Sequence, residues 1–232
     1  MKLPLQQITD LFFDLDHTIY DFDKNSALTF TAAFKQFNLE KVEDFMTHFK
    51  PINDAYWERF SKDEITRDAL RYGRLKDTFE AINLNVTDDK IYAIADYFID
   101  NLSNHNHVFD GAHEALDYLK TKYRLHIITN GPDVVQYRKL QNAQLAHYFE
   151  SVTNSEIAGV KKPHPQIFNH ALNKVNVTAQ QSIMIGDNYQ ADIMGALNVG
   201  MHVIWFNCNQ EQQNIKNEIF QINQLKQLIN FL

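Results

Sequence analysis

Asp14 and Asp16 stand one residue apart, directly after the apolar run Leu11-Phe12-Phe13. An unbroken apolar run is what a parallel strand buried on both faces requires. A run that stops abruptly at carboxylates puts them at the carboxyl edge of a sheet, where open α/β folds bind ligands. Carboxylates there serve two chemistries: they hold a hard cation, or they attack an electrophile. If the strand continues, the two-residue spacing sets both side chains on one face. Other polar groups end other apolar runs. Leu125-His126-Ile127-Ile128 leads into Thr129-Asn130-Gly131-Pro132, and Ser182-Ile183-Met184-Ile185 leads into Gly186-Asp187-Asn188, with Asp192 following. Between them lies Gly159-Val160-Lys161-Lys162-Pro163. A hydroxyl and backbone amides ahead of a helix form a ready anion site, and a lysine balances its charge. Asp14 and Asp187 can meet only if their strands are neighbours, which requires the later chain to cross to the far side of the first strand.

The elements that must position these groups follow from hydrophobic periodicity. Five short apolar runs read as strands: Ile8 to Phe13, Leu125 to Ile128, Tyr148 to Val152, Ser182 to Ile185 and His202 to Phe206. Helical patterns separate the later ones. Pro132 opens one, with Val134, Val135 and Leu140 expected inward. Pro163 or Pro165 opens another, with Ile167, Phe168, Ala171, Leu172 and Val175 at three-four spacing. Proline in a first helical turn loses no hydrogen bond. Alternating strand and helix predicts an α/β fold, a doubly wound parallel sheet core. From about Tyr20 to His107 the pattern is helical throughout. Val42, Phe45, Met46, Phe49, Ile52, Tyr56, Trp57 and Phe60 form a stripe interrupted or kinked at Pro51, Thr66 and Thr87 are candidate N-caps, and Ile91, Ile94, Ala95, Phe98 and Leu102 give a last helix its buried face. The expected organisation is therefore an inserted all-helical domain, residues 20–107, in a core of residues 1–19 and 108–232. In the Gln/Asn-rich tail, Ile215, Ile219, Phe220, Leu225, Leu228 and Ile229 predict one or two packed terminal helices.

Composition narrows the partners. The 232 residues are 44% hydrophobic and 22% charged, as in an ordinary globular protein. A formal net charge of −7 argues against a nucleic-acid polymer, which needs a basic track for its phosphates. No stretch approaches membrane-spanning length and the first ten residues lack a signal-peptide core, so no membrane partner is expected. Cys208 is the only cysteine, which fits a reducing, cytoplasmic setting.

The four polar segments, in this order and each at a strand or helix end, resemble the haloacid dehalogenase superfamily of phosphohydrolases. The resemblance covers the first twenty residues and about residues 110–207. It implies a Mg²⁺-dependent phosphomonoesterase acting through an aspartyl-phosphate, and it makes the inserted all-helical domain, residues 20–107, a helical cap. Asp14 would be the nucleophile, Asp16 the acid that protonates the leaving oxygen and then the base that activates water, and Lys162, directly before proline, the charge-balancing group. Lys161 would be solvated. Thr129, Asn130, Gly131 and Lys162 would bind the phosphate. The metal would be held by the Asp14 carboxylate, the Asp16 backbone carbonyl and the Asp187 carboxylate, with Asp192 in a supporting role or simply a solvated helix residue. The second aspartate separates the phosphate-transferring branches from the dehalogenases.

Asp14 to Phe22, DLDHTIYDF, and the segments Glu64-Ile65-Thr66-Arg67 and Leu70-Arg71-Tyr72 with Arg74 are similar to the pyrimidine 5′-nucleotidase group. That implies a (pyrimidine) nucleoside monophosphate as the small-molecule phosphomonoester. Phe22, Trp57, Arg67, Arg71 and Arg74 are then candidates to approach a base or sugar, against cap-core and solvated-face alternatives. A phosphatase of small sugar or glycolate phosphates, a phosphomutase, and a silent phospholigand-binding module stay open. The module is disfavoured because pure binding needs no Asp16. His17, His105, His107, His164, His170 and Cys208 receive no chemistry, and the sequence leaves the oligomeric state open.

Overall fold

The structure, a computed structural model, describes residues 3–210 and 219–232. Ile215, expected in a terminal helix, lies outside the described residues. Six parallel strands form one sheet: β1 (Asp10–Phe13), β2 (Arg124–Thr129), β3 (Ser151–Asn154), β4 (Ser182–Gly186), β5 (His202–Phe206) and β6 (Phe220–Ile222). Their order is β3-β2-β1-β4-β5-β6, so β1 is central, with β2 on one side and β4 on the other. Phe13 is in register with both Ile127 and Ile185. This is the switch point that lets the ends of β1, β2 and β4 converge. Leu11, Phe12 and Phe13 are at most 1% exposed, as strands covered on both faces demand.

Helices run between the strands: α1 (Phe22–Gln36), α2 (Val42–Ser61), α3 (Arg67–Ala81) and α4 (Asp88–Asn101) after β1, α5 (Ala112–Leu119) before β2, then α6 (Asp133–Asn142), α7 (Ser155–Ala158), α8 (Pro165–Lys174), α9 (Gly195–Asn198) and, last, α10 (Leu228–Phe231). Contacts divide the chain into two compact units, Met1–Asp21 with Asn106–Leu232, and Phe22–His105. In the first, Phe12, Ile128, Phe168, Met184, Ile193 and Trp205 belong to one buried cluster. The second is wholly helical, and its interior is aromatic. Phe30 stacks on Phe98 at 4.5 Å and meets Phe49 at 4.7 Å, while Phe45 meets Phe79 at 4.9 Å. Burying each such ring contributes about 1.5–3 kcal/mol. Among the described residues, no helix is long and apolar enough to cross a membrane.

Local readings fare unevenly. Pro165, not Pro163, opens α8. Thr66 caps α3 by accepting from the Ala69 amide at 3.1 Å, whereas the Thr87 side chain makes no cap bond. α2 runs through Pro51 without interruption. Tyr148 ends a short 3-10 turn, Ala146–Tyr148, and is not part of β3. The tail ends in a short helix as expected, with Leu228 and Ile229 in α10, but Phe220 and Ile222 form a strand where helix was expected, along the open edge of β5, with Ile222 2% exposed and the intervening Gln221 exposed. On α6 the inward face was misread, since Val134 is 59% exposed while Gln136 and Lys139 are buried with Val135 and Leu140.

Candidate active site

β1 stops at Phe13, and the chain folds at once into a tight turn. The Tyr20 amide donates to the Leu15 carbonyl at 2.8 Å and the His17 amide to the Tyr20 carbonyl at 3.0 Å. His17 adopts φ +61°, in the left-handed region. The strand therefore does not carry Asp14 and Asp16 along one face, as the spacing suggested, and their carboxylates diverge.

The Asp14 carboxylate faces Lys162. Lys162 Nζ lies 2.5 Å from Asp14 Oδ1 and 2.7 Å from Asp192 Oδ1, and donates to the Ile128 carbonyl at 2.8 Å. The lysine is 3% exposed. Its backbone is gripped by the Asn130 side chain, whose Nδ2 donates to the Lys162 carbonyl at 3.0 Å while its Oδ1 accepts from the Lys162 amide at 2.7 Å. Asn130 thus serves through its side chain to seat the lysine. Lys161, one residue back, is partly exposed.

Asp187 follows β4 and is held by Thr18. Thr18 Oγ1 donates to Asp187 Oδ1 at 3.1 Å and accepts from the Asp187 amide at 3.0 Å. Trp205 Nε1 donates to the Asp187 carbonyl at 2.7 Å. Asp192 is 1% exposed, so the solvated reading fails. Its Oδ2 accepts from the Asn188 amide at 3.0 Å. It can lie so close to β4 because residue 186 is glycine: a Cβ there would come within 2.3 Å of Asp192 Oδ2.

Each of Asp14, Asp187 and Asp192 offers a carboxylate oxygen within 4.8 Å of the others. One lysine pairs with two buried carboxylates, Asp14 and Asp192, and a third, the half-buried Asp187, lies beside them. Burial pushes the Asp14 carboxyl up to about 7, with the Asp192 and Asp16 charges adding to it and Lys162 opposing. Burial and the Asp14 and Asp192 charges hold Asp187 well above the usual carboxylate range. The lysine itself is raised above its ordinary value: burial works against the ammonium, but the Asp14 and Asp192 charges outweigh it. An all-oxygen donor set with negative charge in excess fits a hard divalent cation, which would relieve both the repulsion and the cost of burial.

Asp16 points elsewhere. Its Oδ1 is 2.5 Å from Lys139 Nζ, and its Oδ2 accepts from Gln136 Nε2 at 2.9 Å. Burial raises the Asp16 carboxyl, but the Lys139 charge and these hydrogen bonds outweigh it and hold it below the ordinary value. Thr129 is 1% exposed, and its Oγ1 accepts from Gln136 Nε2 at 2.7 Å and from the Gly131 amide at 3.2 Å.

The order of these segments on a parallel sheet is that of a known family. The family model of the haloacid dehalogenase-like hydrolases matches residues 11–206. The chain belongs to this family. The structure of the HAD-hydrolase YfnB from Bacillus subtilis bound to magnesium superposes with a TM-score of 0.87 at 26% identity, covering 96% of this chain and 97% of that one. Pyrimidine 5′-nucleotidase YjjG of Escherichia coli is 30% identical over 204 residues, 88% of each chain. Glyceraldehyde 3-phosphate phosphatase of Pyrococcus furiosus is 30% identical over 210 residues, 87% of this chain and 82% of its own. The protein is thus a haloacid dehalogenase-like hydrolase whose relatives include phosphatases.

Thr18, Gln136, Lys139 and Trp205 escaped the sequence reading as site residues. For Gln136 and Lys139 a signal existed: they sit at i and i+3, beside Val135 and Leu140, on one helical face. Thr18 and Trp205 carried none, because only the pairing of distant strands brings them to Asp187. The candidates in the helical unit have varied surroundings there. Phe22 meets Phe98 edge-on at 6.4 Å, Trp57 meets Phe60 at 5.6 Å, and Arg67 lies over Phe60. Arg71 pairs with Asp96. Arg74 is 5% exposed, donates to Asn53 Oδ1 at 2.7 Å and lies over Phe49 and Phe98. Burial, with Arg71 nearby, pushes its guanidinium down to about 10. A solvated arginine face therefore describes Arg74 badly.

Proposed function

We propose that this hydrolase is a Mg²⁺-dependent phosphomonoesterase working through an aspartyl-phosphate, and that its substrates are nucleoside monophosphates, pyrimidines in particular. The observation that carries the chemistry is the convergence of Asp14, Lys162, Asp187 and Asp192 at the carboxyl ends of β1 and β4. In this reading Asp14 Oδ attacks phosphorus, the bond from phosphorus to the leaving oxygen breaks, and Asp16 gives that oxygen its proton. Water then attacks phosphorus, its proton passes to Asp16, and the Asp14–phosphorus bond breaks to release inorganic phosphate. Lys162 holds the nucleophile and balances phosphoryl charge, while the Thr129 hydroxyl and the Asn130 amide receive phosphate oxygens; the Gly131 amide, expected to join them, is instead spent on Thr129 Oγ1. A divalent cation held by Asp14, the Asp16 carbonyl and Asp187 would supply further neutralisation of phosphoryl charge. Asp192 seats the lysine.

The helical unit Phe22–His105 would act as the cap that recognises the leaving group, with Phe22, Trp57, Arg67, Arg71 and Arg74 as its candidate contacts. Similarity to YjjG along most of both chains supports the nucleotide reading. A cytoplasmic location agrees with the single cysteine. Phosphate release from a panel holding dUMP, dTMP, glyceraldehyde 3-phosphate, phosphoglycolate and glucose phosphates, with and without Mg²⁺, tests the proposal. Higher kcat/KM for the nucleotides is expected. Preference for a sugar or glycolate phosphate would overturn the nucleotidase reading, and undiminished turnover in excess chelator would overturn the metal.

A further inference from the structure

Helix α6 buries a lysine and a glutamine that the scheme above does not use. Gln136 is 0% exposed and Lys139 2%. A buried ammonium is costly unless paired and hydrogen-bonded, and Lys139 faces Asp16 Oδ1 at 2.5 Å and the Tyr20 ring at 5.0 Å. Gln136 spends its two N–H bonds on Asp16 Oδ2 and Thr129 Oγ1. Its Oε1 is buried without a hydrogen-bond partner. Turned over, the amide would set that oxygen against a carboxylate, so the two acceptors fix its orientation. Residue 131 must leave room for it, since a Cβ there would lie 2.5 Å from Gln136 Cδ.

We propose that Gln136 and Lys139 are positioning residues: they clamp both oxygens of Asp16 from one helix and tie that carboxylate to the Thr129 hydroxyl. Thr129 Oγ1 already accepts two hydrogen bonds, from Gln136 and Gly131, which leaves its own hydrogen to donate to an arriving phosphate oxygen. Gln136 thereby joins the group that meets the phosphate to the group that handles the leaving-group proton. The inference rests on the acid–base reading of Asp16.

A leaving-group comparison tests it, because p-nitrophenolate departs without a proton and a nucleoside does not. Single-turnover and burst kinetics are measured for wild type, Asp16→Asn, Lys139→Met and Gln136→Met, each checked for folding by near-UV circular dichroism. Asp16→Asn is expected to slow the first turnover of dUMP on the order of a hundredfold and Lys139→Met about tenfold, because losing the ammonium misplaces the Asp16 carboxyl but also eases its protonation, while the p-nitrophenolate burst of both stays within about threefold of wild type. Gln136→Met, which keeps the lysine, is expected to slow dUMP by about tenfold and to weaken inhibition by inorganic phosphate, which Lys139→Met leaves unchanged. Equal losses on both substrates would mean that Lys139 only supports the fold, and would overturn the positioning role. An impaired Asp16→Asn beside an unimpaired Lys139→Met overturns that role alone. An unimpaired Asp16→Asn overturns the acid–base reading and the clamp with it. Should Lys139→Met fail to fold, the dUMP and phosphate readouts of Gln136→Met decide.

Discussion

Gly186→Ala offers a sharp test of how the site is packed, because it adds one methyl group and removes nothing. The new Cβ would lie 2.3 Å from Asp192 Oδ2, 2.5 Å from its Cγ and 2.6 Å from its Cβ. Ordinary heavy-atom contacts start near 3.5 Å, so the pair must separate by about 1 Å. Asp192 cannot give way without loss: it is 1% exposed, its Oδ1 is 2.7 Å from Lys162 Nζ, and its Oδ2 accepts from the Asn188 amide. Overpacking costs about 1–3 kcal/mol, and weakening charge-assisted hydrogen bonds adds about 1.5–3 kcal/mol. A loss of about 3–5 kcal/mol corresponds to a fall in Tm of roughly 10 °C for a chain of this size. Turnover should fall too, since Lys162 would lose one of its two carboxylates. Differential scanning calorimetry on wild type, Gly186→Ala, Asp192→Gly and the double variant measures the coupling. With the side chain at 192 removed, Gly186→Ala should cost less than about 1 kcal/mol, a coupling on the scale expected for residues in contact. A Gly186→Ala protein melting within about 2 °C of wild type, or paying the same penalty in the Asp192→Gly background, would refute the reasoning.

Further outcomes follow from the same geometry. Asp14→Asn should abolish phosphate release while the protein stays folded, and an active variant would remove Asp14 from the chemistry. Lys162→Met should cost activity by several kcal/mol of barrier, on the order of a lost oxyanion donor, whereas Lys161→Met should change kcat/KM little; the reverse pattern would misplace the functional lysine by one residue. Asp10 is buried at the start of β1, where burial raises its carboxyl but bonds from His126, Thr9 and Arg124 outweigh it and hold it below the ordinary carboxylate value. A depressed folded value stabilises fully above the unfolded one and is lost as pH falls through the folded one. Asp10→Asn should therefore melt lower at neutral pH with a flatter acid limb, and an unchanged acid limb in calorimetry would refute the assignment. Arg74→Met should lower kcat/KM for dUMP more than for phenyl phosphate; equal losses would make Arg74 a support of the helical unit alone.

The alternation of apolar runs and helical patterns, with carboxylates ending the first and fourth strands, was enough to establish the α/β class, and the family resemblance of the ordered motifs then pointed to Asp14, Lys162 and Asp187 as candidates. Burial on both faces forces such strands to be continuously apolar, and that leaves a plain trace. Asp16 was equally visible, but its direction was not: the spacing suggested a shared face with Asp14, and the turn from Leu15 to Tyr20 sends it to α6 instead. Lys139 and Gln136 carried a periodic signal that a polar identity disguised, because a buried lysine differs from a solvated one only by the carboxylate it finds across the fold. Strand β6 was hidden for a similar reason, its three residues having no partner until the edge of β5 supplied one. Local chemistry is written in neighbouring residues and can be read from them. The Thr18–Asp187 and Lys162–Asp192 bonds, and the room that Gly186 leaves for Asp192, depend on which strands lie side by side, and tertiary structure alone decides that.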